Sequence, residues 1–256
     1  MKFKKLACST ILLSSITYGA LAGEIEGTNN NPELTSSFIQ NQVEQNMSIG
    51  RAIKSIVRHY PQEAASIIDT ALDMYPEQYK EIIHAAISAQ PTLTQEVVTI
   101  ALSKGISSCS SIVETAINAD PSYVDFVVIA AANSTPSELD EIVRIAVVTE
   151  PDSADYIVQS LAKEHPSKLV EILTSAISAV PLVGEYVVEA LLASFPNDEE
   201  VVITTAVRES AAQREQVKRI IETGQNSGIS LENLERYATN GGATAEEVAQ
   251  ATSKNH

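Results

Sequence analysis

Histidine and cysteine, which often serve as metal ligands and catalytic residues, are few in this chain and lie far apart in the sequence. The 256-residue sequence has four histidines and two cysteines, namely His59, His84, His165, His256, Cys8 and Cys109. No two histidines have the spacing that places metal ligands on one helix face, and no cysteine pair has zinc-ligand spacing. Hydroxyl residues are abundant, but no pattern supplies an activating base, a phosphate-binding glycine loop or a Gly-x-Ser-x-Gly turn. We therefore expect no enzymatic reaction, no cofactor and no metal, and we expect Cys109 to be a buried, unreactive thiol.

Three aromatic residues that recur at a thirty-residue spacing are the candidates for a binding surface. They are Phe126, Tyr156 and Tyr186. Carboxylates occupy the corresponding place in intervening segments, at Glu81, Glu141 and Glu171. Aromatic rings flanked by carboxylates suit a peptide, a basic segment or a sugar chain. Alternatively, the rings fill grooves between packed helices, and the sequence leaves both interpretations open.

The prolines define the elements that must position these residues. Nine of the ten prolines fall in one fifteen-residue register, at Pro61, Pro76, Pro91, Pro121, Pro136, Pro151, Pro166, Pro181 and Pro196. Gly105-Ile106 stands at the one skipped position. Proline lacks an amide hydrogen and has a helix-compatible φ, so it is tolerated in the first turn of a helix and breaks a helix further in. Each proline in the register is therefore predicted to end one helix and begin the next.

Apolar residues follow the same register. Counting each proline as position zero, apolar pairs recur at positions six and seven, and small or apolar residues recur at ten and eleven. This spacing forms one stripe along an α-helix, and position five, which carries the three aromatics, points away from that stripe. A helix of eleven or twelve residues is marginal in isolation, so these units are predicted to persist only by stacking against one another.

The units alternate in sequence, which makes the true repeat thirty residues long. Units beginning at 76, 106, 136 and 166 end in similar segments such as Ala86-Ile87-Ser88-Ala89, whereas the intervening units end differently. In this pattern residues 46–225 resemble the α-solenoid superfamily, in the broad sense of HEAT-like and tetratricopeptide-like arrays. The predicted fold is all-α, an α-solenoid of about six antiparallel helical hairpins. The resemblance implies an extended binding surface without built-in chemistry.

The two ends of the chain have different compositions. Residues 1–22 combine three lysines, an apolar stretch and the small-residue site Ala20-Leu21-Ala22, which predicts a cleaved signal peptide. Residues 23–45 are polar, with 23–31 expected to be disordered and 33–45 to form a cap helix. Residues 226–256 are expected to hold two short helices, near 230–239 and 244–252, as a cap or a separate functional tail. Capping boxes are predicted at Thr135–Glu138 and at Thr244–Glu247.

The net charge of the chain favours some classes of binding partner over others. The formal net charge is −16, and it becomes −19 once the three lysines of residues 1–22 are removed. Such a surface repels nucleic acid and anionic lipid and favours basic partners. The predicted function is a non-enzymatic protein-interaction scaffold or adaptor, exported to the periplasm or the extracellular space of a bacterium. The alternatives are a structural subunit of an extracellular matrix or surface polymer, and a polysaccharide-binding module that uses the aromatic residues.

Overall fold

The computed structural model describes residues 32–253, which form fifteen α-helices and no strand. The predicted signal peptide and the segment 23–31 lie outside the described residues. The helices are α1 Pro32–Asn46, α2 Ile49–His59, α3 Ala64–Met74, α4 Tyr79–Ala89, α5 Thr94–Lys104, α6 Cys109–Ala119, α7 Val124–Ser134, α8 Leu139–Thr149, α9 Ala154–Glu164, α10 Leu169–Ala179, α11 Gly184–Ser194, α12 Glu199–Glu209, α13 Arg214–Asn226, α14 Leu231–Asn240 and α15 Ala245–Thr252. No helix among these residues is both long and apolar enough to cross a membrane.

The fifteen-residue register of the prolines reappears in the helices. Each helix from α2 to α13 begins fifteen residues after the one before it, and α2 to α12 contain eleven residues each. Twelve helices in this register, from Ile49 at the start of α2 to Asn226 at the end of α13, make six hairpins. The predicted α-solenoid is confirmed.

The prolines begin a turn rather than the α-helix itself. Eight of them occupy the first position of a three-residue 3-10 turn, and the α-helix begins directly after that turn. At the first of these turns, the Glu63 amide donates to the Tyr60 carbonyl over 3.1 Å. At the skipped position, Gly105 ends α5 with a φ of +59°, and the Ser108 hydroxyl caps α6 by accepting from the Ser111 amide. A left-handed glycine and a serine cap therefore replace the proline turn.

The two predicted capping boxes have different outcomes. The box at Thr244 is confirmed, since its amide donates to Glu247 over 2.8 Å and its hydroxyl accepts from the Glu247 amide at the start of α15. The prediction of a capping box at Thr135 is wrong. The proline turn separates Thr135 from the start of α8 at Leu139, and the Thr135 hydroxyl instead donates back to the Ala131 carbonyl over 3.0 Å.

The helices form two layers with the apolar core between them. Even-numbered helices from α2 to α14 pack side by side in chain order, odd-numbered helices from α1 to α15 do the same, and each helix also contacts its neighbours in the chain. The recurring apolar positions face the other layer, as Ile142, Val143 and Ala146 of α8 do with no solvent exposure. A helix therefore belongs to one layer, and the next helix along the chain belongs to the other.

The terminal helices continue the two layers. In α1, Ile39 is buried, and the helix packs against α2 and α3. At the other end, α14 packs on α12 and α15 packs on α13, with Leu234 and Val248 buried. The predicted helices near 230–239 and 244–252 are thus present as α14 and α15, and both are part of the stack.

Close packing at this C-terminal end makes Gly241 sensitive to substitution. A Cβ atom at Gly241 would lie 2.7 Å from the Val207 Cβ and 2.8 Å from the Thr204 carbonyl oxygen of α12. Gly241→Ala is therefore expected to lower the free energy of unfolding by about 1–3 kcal/mol, the usual cost of overpacking. The control is Gly50→Ala in α2, where the nearest atom is 3.6 Å away. Because alanine has a higher helix propensity than glycine, that substitution should raise the free energy of unfolding by up to about 1 kcal/mol. Urea unfolding of both variants measures the difference, and equal stabilities would contradict this contact.

Candidate interaction surfaces

The aromatic row, defined as Phe126, Tyr156 and Tyr186, lies on three successive helices of the odd layer, α7, α9 and α11. The side chains are 43%, 65% and 60% exposed, respectively. Ring–ring contacts among the described residues join Phe38 to Tyr60 and Tyr123 to Phe126, so the three rings of the row do not touch one another. The rings therefore stand on the outer surface of the layer, and none contacts the next.

The position of these rings follows from the helical repeat. Each ring directly precedes the buried apolar pair of its helix, and a step of one residue turns the helix by about 100°. The three buried pairs are Val127-Val128, Ile157-Val158 and Val187-Val188. The same residues that hold the core together thus fix the row on the opposite side.

A carboxylate directly precedes each ring of the aromatic row. Asp125, Asp155 and Glu185 are half-buried, and with the following ring they form three equivalent units that we call stations. Glu185 lies 3.6 Å from Arg219 of α13, while Asp125 and Asp155 have no ion-pair partner among the described residues. These carboxylates were not among the predicted site residues, although they recur in the sequence at the same thirty-residue spacing as the rings.

A groove runs along the last two stations, between the N-terminal ends of α9 and α11. This α9–α11 groove has a volume of about 450 Å³ and is lined by Pro151, Asp152, Ala154, Asp155, Val180, Leu182, Val183 and Tyr186. Leu182 is 69% exposed, so an apolar side chain and the Tyr186 ring border two carboxylates. Such a groove can hold the aliphatic stem of a lysine or arginine while the charged end reaches a carboxylate.

The acidic row, defined as Glu81, Glu141 and Glu171, lies on α4, α8 and α10 in the even layer. Because position five points away from the core in both layers, the acidic row and the aromatic row face opposite outer surfaces, and the structure does not bring them together. Glu141 accepts from Arg144 over 2.8 Å, and this pairing holds the pKa of Glu141 below its ordinary value. Glu171 pairs with Lys168 at 2.6 Å. Two of the three carboxylates thus already have cations beside them.

A second groove on the even layer contains cations. This basic groove, of about 600 Å³, crosses α2, α4 and α6 and is lined by Ser48, Gly50, Arg51, Lys54, Lys80, Glu81, His84, Ala85, Ser88, Glu114, Thr115 and Asn118. Arg51, Lys54 and Lys80 make no ion pair with any described residue, although acidic residues outnumber basic ones in this chain. The groove can accept an anionic group. The sequence pattern does not predict this groove, because its cations come from two helices that begin thirty residues apart.

The buried cysteine offers little chemistry. Cys109 is 6% exposed, and its sulfur lies 3.3 Å from the Thr135 hydroxyl. Burial raises the pKa of this thiol, which disfavours the thiolate that reacts with electrophiles and metals. Within residues 35–253, no three His, Cys, Asp or Glu side chains gather in a way that could hold a metal ion.

No family model, no curated protein and no solved structure matches the sequence. What the arrangement can do chemically is hold cations at the stations and in the α9–α11 groove on one layer, and hold anions in the basic groove on the other.

Proposed function

We propose that this protein is an exported, non-enzymatic interaction scaffold that binds a basic polypeptide segment through the three stations of the odd layer. The observation that carries the proposal is a recurring pair, a half-buried carboxylate followed by an exposed aromatic residue, at the same two helical positions in three successive hairpins. In a regular repeat, core positions recur because packing requires them. The aromatic residue of each pair points away from the core and has no such requirement, so its recurrence favours binding.

The chemistry of each station suits a lysine or an arginine. A cation over an exposed aromatic face contributes about 0.5–1 kcal/mol, and an exposed ion pair with the adjacent carboxylate contributes about 0.2–1 kcal/mol. A single station therefore binds a cation only weakly. Three stations on one rigid layer act together, because the first contact raises the effective concentration of the others.

The rest of the molecule supports a scaffold role. The acidic surface attracts basic partners over a distance and repels nucleic acid. The basic groove on the even layer holds Arg51, Lys54 and Lys80 beside Glu81 and Glu114, so a partner with anionic groups can bind that layer through the three cations. Residues 1–22 have the pattern of a signal peptide, which supports export and a partner in the periplasm or outside the cell.

The experiment removes all three rings at once. The variant Phe126→Ser, Tyr156→Ser, Tyr186→Ser is compared with the unaltered protein for binding of a fluorescent oligolysine peptide, measured by anisotropy. Losing three cation–ring contacts of about 0.5–1 kcal/mol each should weaken binding about ten- to hundredfold. Circular dichroism verifies that the variant remains helical, which is expected because the rings lie outside the core.

The matched control removes one exposed apolar side chain from the other layer. Leu231, on α14, is 58% exposed, and Leu231→Ser should leave oligolysine binding unchanged. Equal affinity of the triple variant and the unaltered protein would refute a role for the row.

A polysaccharide is the second candidate ligand, favoured by the exposure of the rings, since aromatic faces also stack on sugars. Salt distinguishes the two candidates. Binding of a basic segment should weaken steeply between low and high ionic strength, because exposed charges are screened. Binding of a neutral sugar chain should change little over the same range.

A further inference from the structure

We infer that the basic partner lies across α7, α9 and α11 as an extended peptide of the polyproline II type, with a lysine or arginine at every third residue. This inference rests on the proposed function and specifies the conformation and spacing of its ligand. The juxtaposition that carries it is the set of three stations, one per hairpin, in a single register along one layer.

The spacing of the stations follows from the packing of the helices. Helices α7, α9 and α11 have equal lengths and carry their stations at the same two positions, so one repeat step relates each station to the next. Helices packed side by side lie about 8–10 Å apart. Cation sites therefore recur about every 9 Å, and the outer two lie about 16–20 Å apart.

Among regular backbones, polyproline II matches this interval. It rises about 3.1 Å per residue with three residues per turn, so every third side chain lies on one face at steps of about 9.3 Å. A β-strand repeats its face every second residue, at about 6.6 Å. An α-helix repeats its face after seven residues at about 10.5 Å, and two such steps exceed the span of the three stations.

The local surface suits such a peptide in other respects. Because successive rings do not touch, a cationic side chain can lie against the exposed part of each ring. Asp125 and Asp155 make no ion pair among the described residues, whereas at the third station a bound cation would share Glu185 with Arg219. Residues between the cations would pass over the α9–α11 groove, where Leu182 and Tyr186 offer an apolar surface. Prolines at these intervening places would favour the extended conformation and reduce the entropy lost on binding.

The test compares peptides of one composition that differ only in the order of their residues. Each peptide has three lysines and four prolines. In the first, two prolines separate successive lysines; in the second, one proline separates them and the remaining two prolines follow. Fluorescence anisotropy with the full chain should give at least tenfold tighter binding for the first peptide. Tyr156→Ser, which removes the central ring, should weaken that peptide several-fold and the second peptide less than twofold.

The possible results distinguish failure of the extended-peptide inference from failure of the proposal that the partner is basic. Equal affinities for the two peptides, together with oligolysine binding that depends on the aromatic row, would overturn the three-residue spacing and leave the basic-partner proposal intact. If neither the peptides nor oligolysine bound, both would fail. A lysine-bearing helical peptide that bound more tightly than the first peptide would also overturn the extended conformation.

Discussion

A chain that lacks residues 121–150 is expected to fold into a shorter stack, whereas a chain that lacks only residues 121–135 is expected to lose cooperative folding. The longer deletion removes α7 and α8 together, so α6 is followed by the proline turn and α9, and every remaining helix keeps its layer. The shorter deletion removes α7 alone. Every helix from α8 onward would then have to enter the layer opposite to the one that its sequence suits.

From α8 to α13 the helices of the two layers are not interchangeable, because their core residues at position ten differ in size. At position ten, α8 and α10 carry Ala146 and Ala176, while α9 and α11 carry Leu161 and Leu191. All four are fully buried, so exchanging the layers would leave cavities on one side and overpack the other. Thermal unfolding followed by circular dichroism measures the outcome. If the shorter deletion melted as sharply and at nearly the same temperature as the longer one, the repeat unit would be a single helix.

The second large effect is expected from the core leucine of α9. Leu161→Ala should lower the free energy of unfolding by about 2–5 kcal/mol, the cost of losing a fully buried side chain and leaving a cavity. The control is Leu182→Ala in the proline turn before α11, where the side chain is 69% exposed. That substitution should change the free energy of unfolding by no more than about 0.5 kcal/mol. Urea unfolding gives both values.

A substitution that restores most of the side-chain volume at position 161 provides a second control. Leu161→Met keeps most of the volume and should cost less than about 1.5 kcal/mol. If alanine and methionine at position 161 had the same effect, a cavity between the layers would not be the cause.

Much of the fold is predictable from the sequence because two independent patterns coincide. The prolines mark where helices end, and the apolar residues mark which face of each helix is buried. What the patterns left out is local backbone geometry. The 3-10 turn that begins at eight of these prolines moves the start of the α-helix by three residues, and this is why the predicted capping box at Thr135 does not form.

The candidate surfaces were predictable in part. The exposure of Tyr156 and Tyr186 follows from a helical wheel, but their carboxylate neighbours were sought at position five of the intervening helices instead of position four of the same helix. Those intervening helices lie in the other layer, so Glu141 and Tyr156 face opposite ways. The basic groove depends on packing between α2 and α4, which no single-helix pattern describes.

The layered packing has a consequence for how the chain acquires its structure. Contacts between helices join residues about thirty positions apart, as between Lys104 and Asp73, which are thirty-one apart. Each helix finds its partners among its nearest neighbours, so no long loop must close before structure forms. The chain can therefore fold hairpin by hairpin, from one end to the other, because each hairpin packs on the one that folded before it. The ends should open first under denaturing stress, while α7 to α9 in the middle should exchange their amide protons last.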